Sequence, residues 1–399
     1  MATIETGGGA FLRAEGWWSR VLYSRGSRFI AEIFDGADEA LAAYEAVEPG
    51  LVSNGFQTLD WLTVLYEELA PARKAMPRLV VVTERASGEV ALVLPLVVAK
   101  EGMLRVASFA DLGVSDYGGP VLGPARVTEK SAVRSLWRSV RRAMRDIDLI
   151  RLARMPAEIG GRPNPLLTRI GVSRAMDAGS ALVVHDTVEA YLRGIGNKYR
   201  KEVERCHRRW QEAKGPRVYR AETADEIAHV YLALEEHQAR RHASVHEANI
   251  LDEPGYRAFY ERLAIDGSNA GLSALFALEA DGEIIATLFG IVHAGTFTRL
   301  FSSTAGEEWA HLSPGRLVMI EAMKYFEAQG VRRFDMGIRE HPLARGFGAA
   351  PVPLYDLVVP MDSIAVPRAL FHGLRARLRP NRASGTAAGG KQAAGRRRF

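Results

Sequence analysis

The sequence predicts a mixed α/β fold in which two similar halves follow one another. Both halves show the same order of predicted elements: a strand, two helices, three strands in a meander, a helix and a final strand. Two-residue turn signals, Ser87-Gly88 and Asp281-Gly282, join neighbouring apolar runs into hairpins at equivalent places. The residues themselves do not repeat, so a single ordinary α/β sheet is the alternative.

The composition is that of a globular protein. The chain has 399 residues, of which 47% are hydrophobic and 25% charged, enough for two domains or one large core. A single cysteine, Cys206, excludes an internal disulfide framework and suits a reducing compartment. The start of the sequence lacks the pattern of a signal peptide, and the longest apolar run, 90–99, is too short to span a bilayer. We therefore expect a cytoplasmic protein.

The positive charge is concentrated at the end of the sequence. The net charge is +5, yet residues 368–399 contain nine Lys and Arg and no Asp or Glu. Taking those nine from 52 leaves 43 basic against 47 acidic residues, so the remainder carries −4. This Gly- and Ala-rich tail cannot build a core, and we expect 363–399 to be disordered. Its charge suits an anionic surface, peripheral to the inner membrane, or a nucleotide, although a solvated tail is the simpler expectation. No DNA partner is expected.

The first half, 28–185, follows a leader at 1–27 that we expect to be poorly ordered. Runs of apolar and β-branched residues predict strands at 29–34, 79–85, 90–99, 104–109, 148–153 and 181–185. Helices are predicted at 39–47, 59–69 and 129–145. The last of them has apolar side chains at helical spacing: Val133, Leu136, Trp137, Val140 and Met144.

A connecting segment at 186–216 contains a single polar helix, predicted at 189–214 and rich in Arg and Lys. The second half, 217–362, has predicted strands at 218–221, 274–280, 283–292, 296–303 and 331–336, and helices at 224–241 and 255–265. A further helix begins at Ser313 and ends at Gly330. Its apolar stripe consists of Leu317, Ile320, Met323 and Phe326.

The start of this last helix carries the strongest functional signal. Ser313 suits the N-cap, Pro314 suits the first helical position, and Gly315 removes a side chain where a ligand could approach the backbone. Free backbone N–H groups at such a helix start suit a phosphate. A capped helix that binds nothing explains the same residues about equally well.

Several motifs occur together over about residues 28–360. They are Asn54-Gly-Phe-Gln-Thr-Leu-Asp-Trp61, Asn197-Lys-Tyr-Arg-Lys-Glu-Val-Glu-Arg205, Leu234-Glu-Glu-His-Gln-Ala-Arg240, Trp309-Ala-His-Leu-Ser-Pro-Gly-Arg316 and Phe334-Asp335. On these residues the chain resembles bacterial double-GNAT proteins of the CelD/BcsL-like class. That class is related to the Fem aminoacyltransferases and is associated with exopolysaccharide biosynthesis.

The resemblance implies two tandem GNAT-like mixed sheets flanked by helices, with acetyl-CoA as co-substrate. It implies that the pyrophosphate of coenzyme A lies at the helix start and that the thioester lies along the strand before it. The cofactor-binding residues would then be Ser313, Pro314, Gly315, Arg316, Leu300 and Ser302. A backbone N–H of that strand, near 300–302, would polarise the thioester carbonyl.

His237 is one candidate for the base that takes a proton from an attacking amine. It continues the apolar stripe of the helix at 224–241, and so does Arg241, which we group with it as catalytic. Polar groups on a buried stripe need a reason. A hydrogen-bonded structural histidine is the alternative, because buried polar groups are usually satisfied.

Asp335 is the second candidate base. Strand alternation puts it on the face opposite Phe334, near a strand end where open α/β sheets place ligands. It could orient the amine or His237. Simple pairing with a neighbouring arginine is its alternative; the candidates are Arg332, Arg333 and Arg339.

Candidate substrate-binding residues are Arg200, Tyr117, Arg240, Glu340 and His341. Arg200 lies in the basic motif, although a merely solvated helix is the simpler expectation there. After the last strand the sequence reads Glu340-His341-Pro342-Leu343-Ala344, so the tyrosine that GNAT enzymes often use to protonate the leaving thiolate has no obvious counterpart. No metal is expected, because His237, His242 and His246 do not form a ligand motif.

The leading functional hypothesis is an N-acyltransferase that acetylates an amino sugar for a surface polysaccharide, with the polysaccharide implied by the resemblance alone. One alternative is a Fem-like transferase that takes an aminoacyl group from charged tRNA. Another is a non-catalytic GNAT-derived regulator whose basic tail binds a nucleotide or a membrane.

Overall fold

A computed structural model describes residues 27–168, 172–338 and 342–361. The leader before Ser27, the basic tail after Met361, and Glu340 and His341 lie outside these residues. In the described part of the chain, none of the helices is long and apolar enough to cross a lipid bilayer.

The first half runs as follows: β1 (Phe29–Asp35), α1 (Ala37–Val47), α2 (Leu59–Val64), α3 (Ala70–Ala72), β2 (Met76–Glu84), β3 (Val90–Glu101), β4 (Leu104–Phe109), β5 (Val121–Leu122), α4 (Lys130–Ala143), β6 (Leu149–Pro156), β7 (Glu158–Ile159), β8 (Arg162–Pro163) and β9 (Val172–Val183). A π-helical stretch, Leu65–Leu69, joins α2 to α3.

The remaining elements are α5 (Val188–Gly194), α6 (Asn197–Gln211), β10 (Arg217–Arg220), α7 (Ala224–Val245), α8 (Pro254–Asn269), β11 (Ser273–Ala280), β12 (Glu283–His293), β13 (Thr296–Thr304), α9 (Pro314–Glu327), β14 (Arg333–Asp335), α10 (Pro342–Gly346) and β15 (Ala350–Pro360). The predicted mixed α/β fold with a repeated order of elements is therefore confirmed.

The two halves share one continuous sheet. Its strand order is β1-β2-β3-β4-β6-β15-β9-β14-β13-β12-β11-β10, with β5 added beside β3. Read from either edge, the order passes through equivalent strands: β1 corresponds to β10, β4 to β13 and β6 to β14. β6 pairs in parallel with β4, and β14 pairs in parallel with β13, because a helix (α4 or α9) lies in each connection.

The centre of the sheet is formed by an exchange of strands. β9, at the end of the first half, pairs with β14 of the second, and β15, at the end of the second, pairs with β6 of the first. β9 and β15 also pair with each other. No strand is predicted from the sequence at β15, and β9 begins nine residues earlier than the strand predicted at 181–185.

Apolar side chains of both halves form one of the cores. Trp61 of α2 packs edge-on against Phe259 of α8, with ring centroids 5.2 Å apart, and both rings are fully buried. Separate cores lie under α9 and under α4 on the other face of the sheet. The aromatic contact between α2 and α8 and the exchanged strands therefore hold the halves together.

Most predicted elements are confirmed, and the differences have local causes. The hairpin turn at Asp281-Gly282 has both residues at positive φ (52° and 82°), as a two-residue hairpin requires. The single helix predicted at 189–214 is wrong, because the backbone is extended at Ile195, between α5 and α6. Gly194 and Gly196 flank this break, and glycine disfavours the helix interior.

Candidate active site

β13 and β14 diverge at the middle of the second half. They pair in parallel over three positions only, which end at Thr298 opposite Asp335, whereas β13 continues to Thr304. A register shift against β12 leaves Leu300 as an extra residue, since Arg299 pairs with Gly290 and Phe301 with Phe289. Beyond Thr298, the edge of β13 that faces away from β12 therefore has no strand partner in the described chain.

The start of α9 lies against this open part of β13. A Cβ atom on Gly315 would lie 3.2 Å from Thr304 Cγ2 and 3.7 Å from Ser302 Oγ, so the absent side chain allows a close approach. Ser313 is the N-cap of α9, as predicted, but its backbone is left-handed (φ 50°) and its side chain makes no cap hydrogen bond.

Few amides are free at this helix start. The Arg316 N–H donates to Ser313 O at 2.9 Å, and Pro314 has no N–H. The Gly315 N–H has no backbone acceptor within the described residues. The Gly315 N–H is therefore the single backbone amide at this helix start, among the described residues, that is available to a phosphate.

Arg316 is held by α6. Its guanidinium lies 4.5 Å from the ring centroid of Tyr199, and its Nη1 lies 3.0 Å from Glu202 Oε1. Burial raises the pKa of the Tyr199 hydroxyl to about 12. α6 thus packs against the start of α9, and its basic motif lies beside the predicted coenzyme A residues.

Asp335 meets a tyrosine of the other half. Tyr117 Oη donates a 2.6 Å hydrogen bond to Asp335 Oδ1, and the Gly337 N–H donates to the same oxygen at 2.9 Å. Asp335 is only 3% exposed, and burial raises the pKa of its carboxyl group. Arg333 Nη2 is 3.8 Å from Asp335 Oδ2, a loose ion pair compared with the Tyr117 contact.

A second carboxyl group lies close to Asp335. Burial raises the pKa of Asp116 to about 6, and the charge of Asp335 adds to that shift while Arg299 and Arg154 oppose it. Arg299 donates from Nε and Nη2 to Met336 O, at 3.2 and 2.6 Å. This guanidinium joins β13 to the end of β14 just where the two strands separate.

A cavity of about 500 Å³ opens at the junction of the halves. Loop residues of the first half, the β12–β13 turn and β14 line it. Its polar lining residues are Ser53, Asn54, Tyr117, Glu158, His293, Thr296, Thr298, Arg333 and Asp335. Asn54 Nδ2 is buried and has no hydrogen-bond partner within the described residues. Thr298 and Asp335, the last paired residues of β13 and β14, both face this cavity.

His237 lies in a separate buried network. Its Nδ1 shares a 3.2 Å hydrogen bond with Ser303 Oγ, which in turn lies 2.5 Å from Thr287 Oγ1. Burial lowers the pKa of His237. Its catalytic role stays a prediction, and these contacts favour the structural alternative. Arg241 is exposed, so the expectation that it continues the buried stripe is wrong; Arg240 is exposed as well.

Arg200 is half-buried on α6, with Nε 3.7 Å from Glu204 Oε1, and its predicted role in substrate binding stays a prediction. The same holds for Glu340 and His341, which lie outside the described residues.

Among the residues that are described, no group of three or more His, Cys, Asp or Glu side chains is arranged to hold a metal ion.

Sequence reasoning assigned no role to Asn54, Asp116, His293 or Arg299. Asn54 belongs to a motif that carries the resemblance, and that was a usable signal. Asp116 and Tyr117 lie in a glycine-rich stretch, and Asp335, which acts on both of them, is more than 180 residues away in the sequence. No local pattern indicates such contacts.

Comparison with known proteins agrees with this geometry. The sequence model of the acetyltransferase (GNAT) domain family matches residues 197–345. The structure of FemX is similar to this chain, with 12% identity over 84% of this chain and 98% of FemX and a TM-score of 0.57. A conserved protein of unknown function from Bacteroides thetaiotaomicron VPI-5482 is similar, with 11% identity over 80% of this chain and 97% of that protein, at a TM-score of 0.52.

A search of curated protein sequences gave no match. At these identities the two structures establish the fold only, whereas the family match covers α6 to α10 and therefore includes β13, β14 and the start of α9. Residues 197–345 form a GNAT-type acetyltransferase domain, and the chain is an acyltransferase enzyme.

Proposed function

We propose that this enzyme transfers an acyl group, acetyl in the first instance, from acyl-CoA to the amino group of a sugar. One observation carries the proposal: the cavity at the junction of the halves reaches the point where β13 and β14 separate. Thr298 and Asp335 belong to both features. An acceptor in the cavity and a thioester between the strands would therefore meet at Asp335.

The donor side is supported by the backbone of β13 and α9. Acyl-CoA would bind along the open edge of β13, with a phosphate at the unpaired Gly315 N–H. The extra residue Leu300 interrupts the ladder to β12, which suits a backbone N–H directed at the thioester oxygen. Ser302 and Thr304 lie where Gly315 approaches the strand, so a larger side chain at residue 315 would obstruct this groove.

The acceptor side is supported by the chemistry of the cavity. Asp335 would take the proton that the ammonium group loses, and the free amine would then attack the thioester carbonyl. As the carbon–sulfur bond breaks, the second proton lost by the nitrogen would pass to the leaving sulfur, which departs as free thiol. A carboxyl group with a raised pKa is a better base near neutral pH than an ordinary one. Hydroxyl side chains in the lining, together with the unpaired Nδ2 of Asn54, suit the hydroxyl groups of a sugar.

The size of the cavity agrees with a saccharide acceptor. Small-molecule sites commonly enclose roughly 300–1,000 Å³, and this one has about 500 Å³. Acetylation within cytoplasmic surface-polysaccharide biosynthesis is the proposed setting, and it depends on the resemblance of the sequence motifs alone.

The test is release of free thiol from acetyl-CoA with glucosamine-type acceptors. We expect acceptor-dependent release by the wild type and a loss of 10²-fold or more, about the low end of general-base contributions, in Asp335→Asn. Asp225→Asn, a matched change at an exposed residue in the first turn of α7, should keep activity. Absence of thiol release with every amine tested would refute the proposal.

A Fem-like transfer of an aminoacyl group from tRNA is the second candidate. It is favoured by the exposed basic residues of α6: Lys198, Lys201, Arg205, Arg208 and Arg209. Binding of tRNA that weakens steeply with added salt would support it, because phosphate contacts release counterions. Absence of tRNA binding at low salt would exclude it. The family match favours either enzyme over the non-catalytic regulator.

A further inference from the structure

An arginine face covers the outer side of α4. Arg134, Arg138 and Arg141 lie four and three residues apart and are exposed, and Arg145 continues the row just beyond the helix end. Such spacing puts all four on one side of a helix. None of the four has an acidic or hydrogen-bond partner within the described part of the chain. We call these four residues the arginine face.

The row is unusual for a solvated helix. Equal charges at i and i+4, such as Arg134 and Arg138, repel each other and disfavour the helix. The basic helix α6 differs, because Glu202 and Glu204 lie among its arginines and lysines. The chain without its tail carries −4, so this positive charge is local and not a general property of the surface. A shallow depression of about 450 Å³ lies among the arginines, with Trp137 in its lining.

An exposed methionine lies at the same end of the first half. Met103, in the turn between β3 and β4, is 91% exposed, more than any other large apolar side chain in the described residues. Arg105 follows it by two residues and contacts Asp146, the neighbour of Arg145, at 3.1 Å. The acidic groups here are engaged: Asp146 also pairs with Arg78, and Glu101 pairs with Arg151.

The last described residue, Met361, lies at this edge as well. The Met361 N–H, at the last described residue, donates to Asp148 O at 2.8 Å, three residues after Arg145. The nine basic residues of 368–399 therefore follow a chain exit that adjoins the arginine face.

We propose that this side docks on an anionic phospholipid bilayer. Guanidinium groups bind phosphate through paired hydrogen bonds, and basic clusters accumulate at anionic leaflets. Met103 would enter the interfacial region between the charged groups, as apolar side chains of peripheral proteins do. A nucleic acid fits less well, because the exposed large apolar side chains of the described chain are aliphatic and offer no ring for base stacking. The proposal is independent of the acyl acceptor.

The test is co-sedimentation of the full chain with vesicles of phosphatidylcholine, with and without phosphatidylglycerol. We expect binding only with phosphatidylglycerol, and binding that weakens as salt is added. Each basic residue near such a surface contributes about 1 kcal/mol to binding, and a tenfold change in affinity corresponds to about 1.4 kcal/mol. The variant Arg138→Gln/Arg141→Gln, which loses two basic residues, should therefore bind roughly 30-fold more weakly. Arg208→Gln/Arg209→Gln, an equal loss of charge on exposed residues of α6, should bind as the wild type does.

Met103→Ser tests the apolar contribution, and we expect weaker binding with an unchanged dependence on salt. Because Arg138, Arg141 and Met103 are exposed, all variants should keep the thermal unfolding midpoint of the wild type. Equal binding to both kinds of vesicle, wild-type affinity of the Arg138→Gln/Arg141→Gln variant, or tighter binding to duplex RNA at the same phosphate concentration would overturn the proposal.

Discussion

Tyr117 and Asp335 form a buried hydrogen bond of 2.6 Å between the two halves of the molecule, across 218 positions of sequence. Asp335 ends the paired part of β14, and Tyr117 reaches it from the first half. The junction cavity is lined by both residues. The candidate active site of the GNAT domain therefore includes a side chain that lies outside the matched residues 197–345.

Tyr117→Phe should move the pH dependence of activity. The hydroxyl stabilises the charged form of Asp335, so its removal should raise the pKa of that carboxyl group further. Because the carboxylate is the basic form, the acidic limb of kcat/KM should shift to higher pH. Hydrogen bonds to charged groups contribute about 1.5–3 kcal/mol, so the rate at neutral pH should fall roughly 10- to 100-fold.

The control is Tyr256→Phe, which removes a 2.8 Å hydrogen bond from Tyr256 Oη to Leu112 O. That bond also joins the two halves, but it involves no carboxyl group. A Tyr117→Phe enzyme with the pH profile of the wild type would contradict the coupling between Tyr117 and Asp335.

Gly315→Arg should weaken the binding of acetyl-CoA. A new Cβ would already lie 3.2 Å from Thr304 Cγ2, and the longer side chain would fill the groove between α9 and β13. Calorimetric titration should show at least a tenfold loss of affinity, while the unfolding midpoint stays close to that of the wild type. Gly194→Arg is the matched control, since nothing lies within 4 Å of its Cβ position. If Gly315→Arg bound acetyl-CoA as tightly as the wild type does, coenzyme A would have to bind at another place on the protein.

His237→Gln should separate the structural from the catalytic role of this histidine. The loss of its buried bond to Ser303 should cost about 0.5–1.5 kcal/mol of unfolding free energy and leave kcat nearly unchanged. A catalytic base would instead lose about 10²–10⁴ in rate. Denaturant unfolding and steady-state kinetics on the same samples distinguish the two outcomes.

The stability of the wild type should also depend on His237 at acidic pH. Burial lowers its pKa in the folded state, so the unfolded chain binds the proton more readily. Stability is then greatest above the ordinary histidine pKa of about 6.5 and falls as the pH drops below it. In the His237→Gln variant, this part of the acid sensitivity should be missing.

Leu357→Ala should destabilise the whole molecule. Leu357 is fully buried on β15 and packs in the core beneath α4, although β15 comes last in the described chain. Truncation of a buried leucine typically costs about 2–5 kcal/mol. We expect a single unfolding transition at lower denaturant concentration. Leu232→Ala, at a leucine that is 51% exposed, should change stability little. Two separate transitions would mean that the halves unfold independently.

Local patterns predicted the repeated elements well. The stripe of α9 from Leu317 to Phe326 and the turn at Asp281-Gly282 depend on neighbouring residues, and both are confirmed. The break at Ile195 was overlooked, although the glycines beside it indicate it. The expectation that Arg241 lies on the buried stripe of α7 is wrong, because that stripe ends with His237 and Gln238, one turn earlier.

The features that the sequence did not predict depend on contacts between distant parts of the chain. β15 contains Pro351 and Pro353 and shows no clean alternation, and it is stabilised by β6 and β9. The Tyr117–Asp335 bond depends on the same exchange of strands. A resemblance in motifs suggested where the chemistry lies, but only the assembled sheet shows which side chains of the first half reach it.

The exchange of β9 and β15 also limits how the enzyme can move. Each half supplies a strand to the middle of the other, so a hinge between them would have to break the backbone ladder at the centre of the sheet. Substrate entry would then depend on segments at the rim of the cavity, such as the β7–β8 hairpin, whose residues 158–161 line it. The two halves therefore form one continuous frame, and cutting the chain between them would leave each half without a strand that it needs at the centre of its sheet.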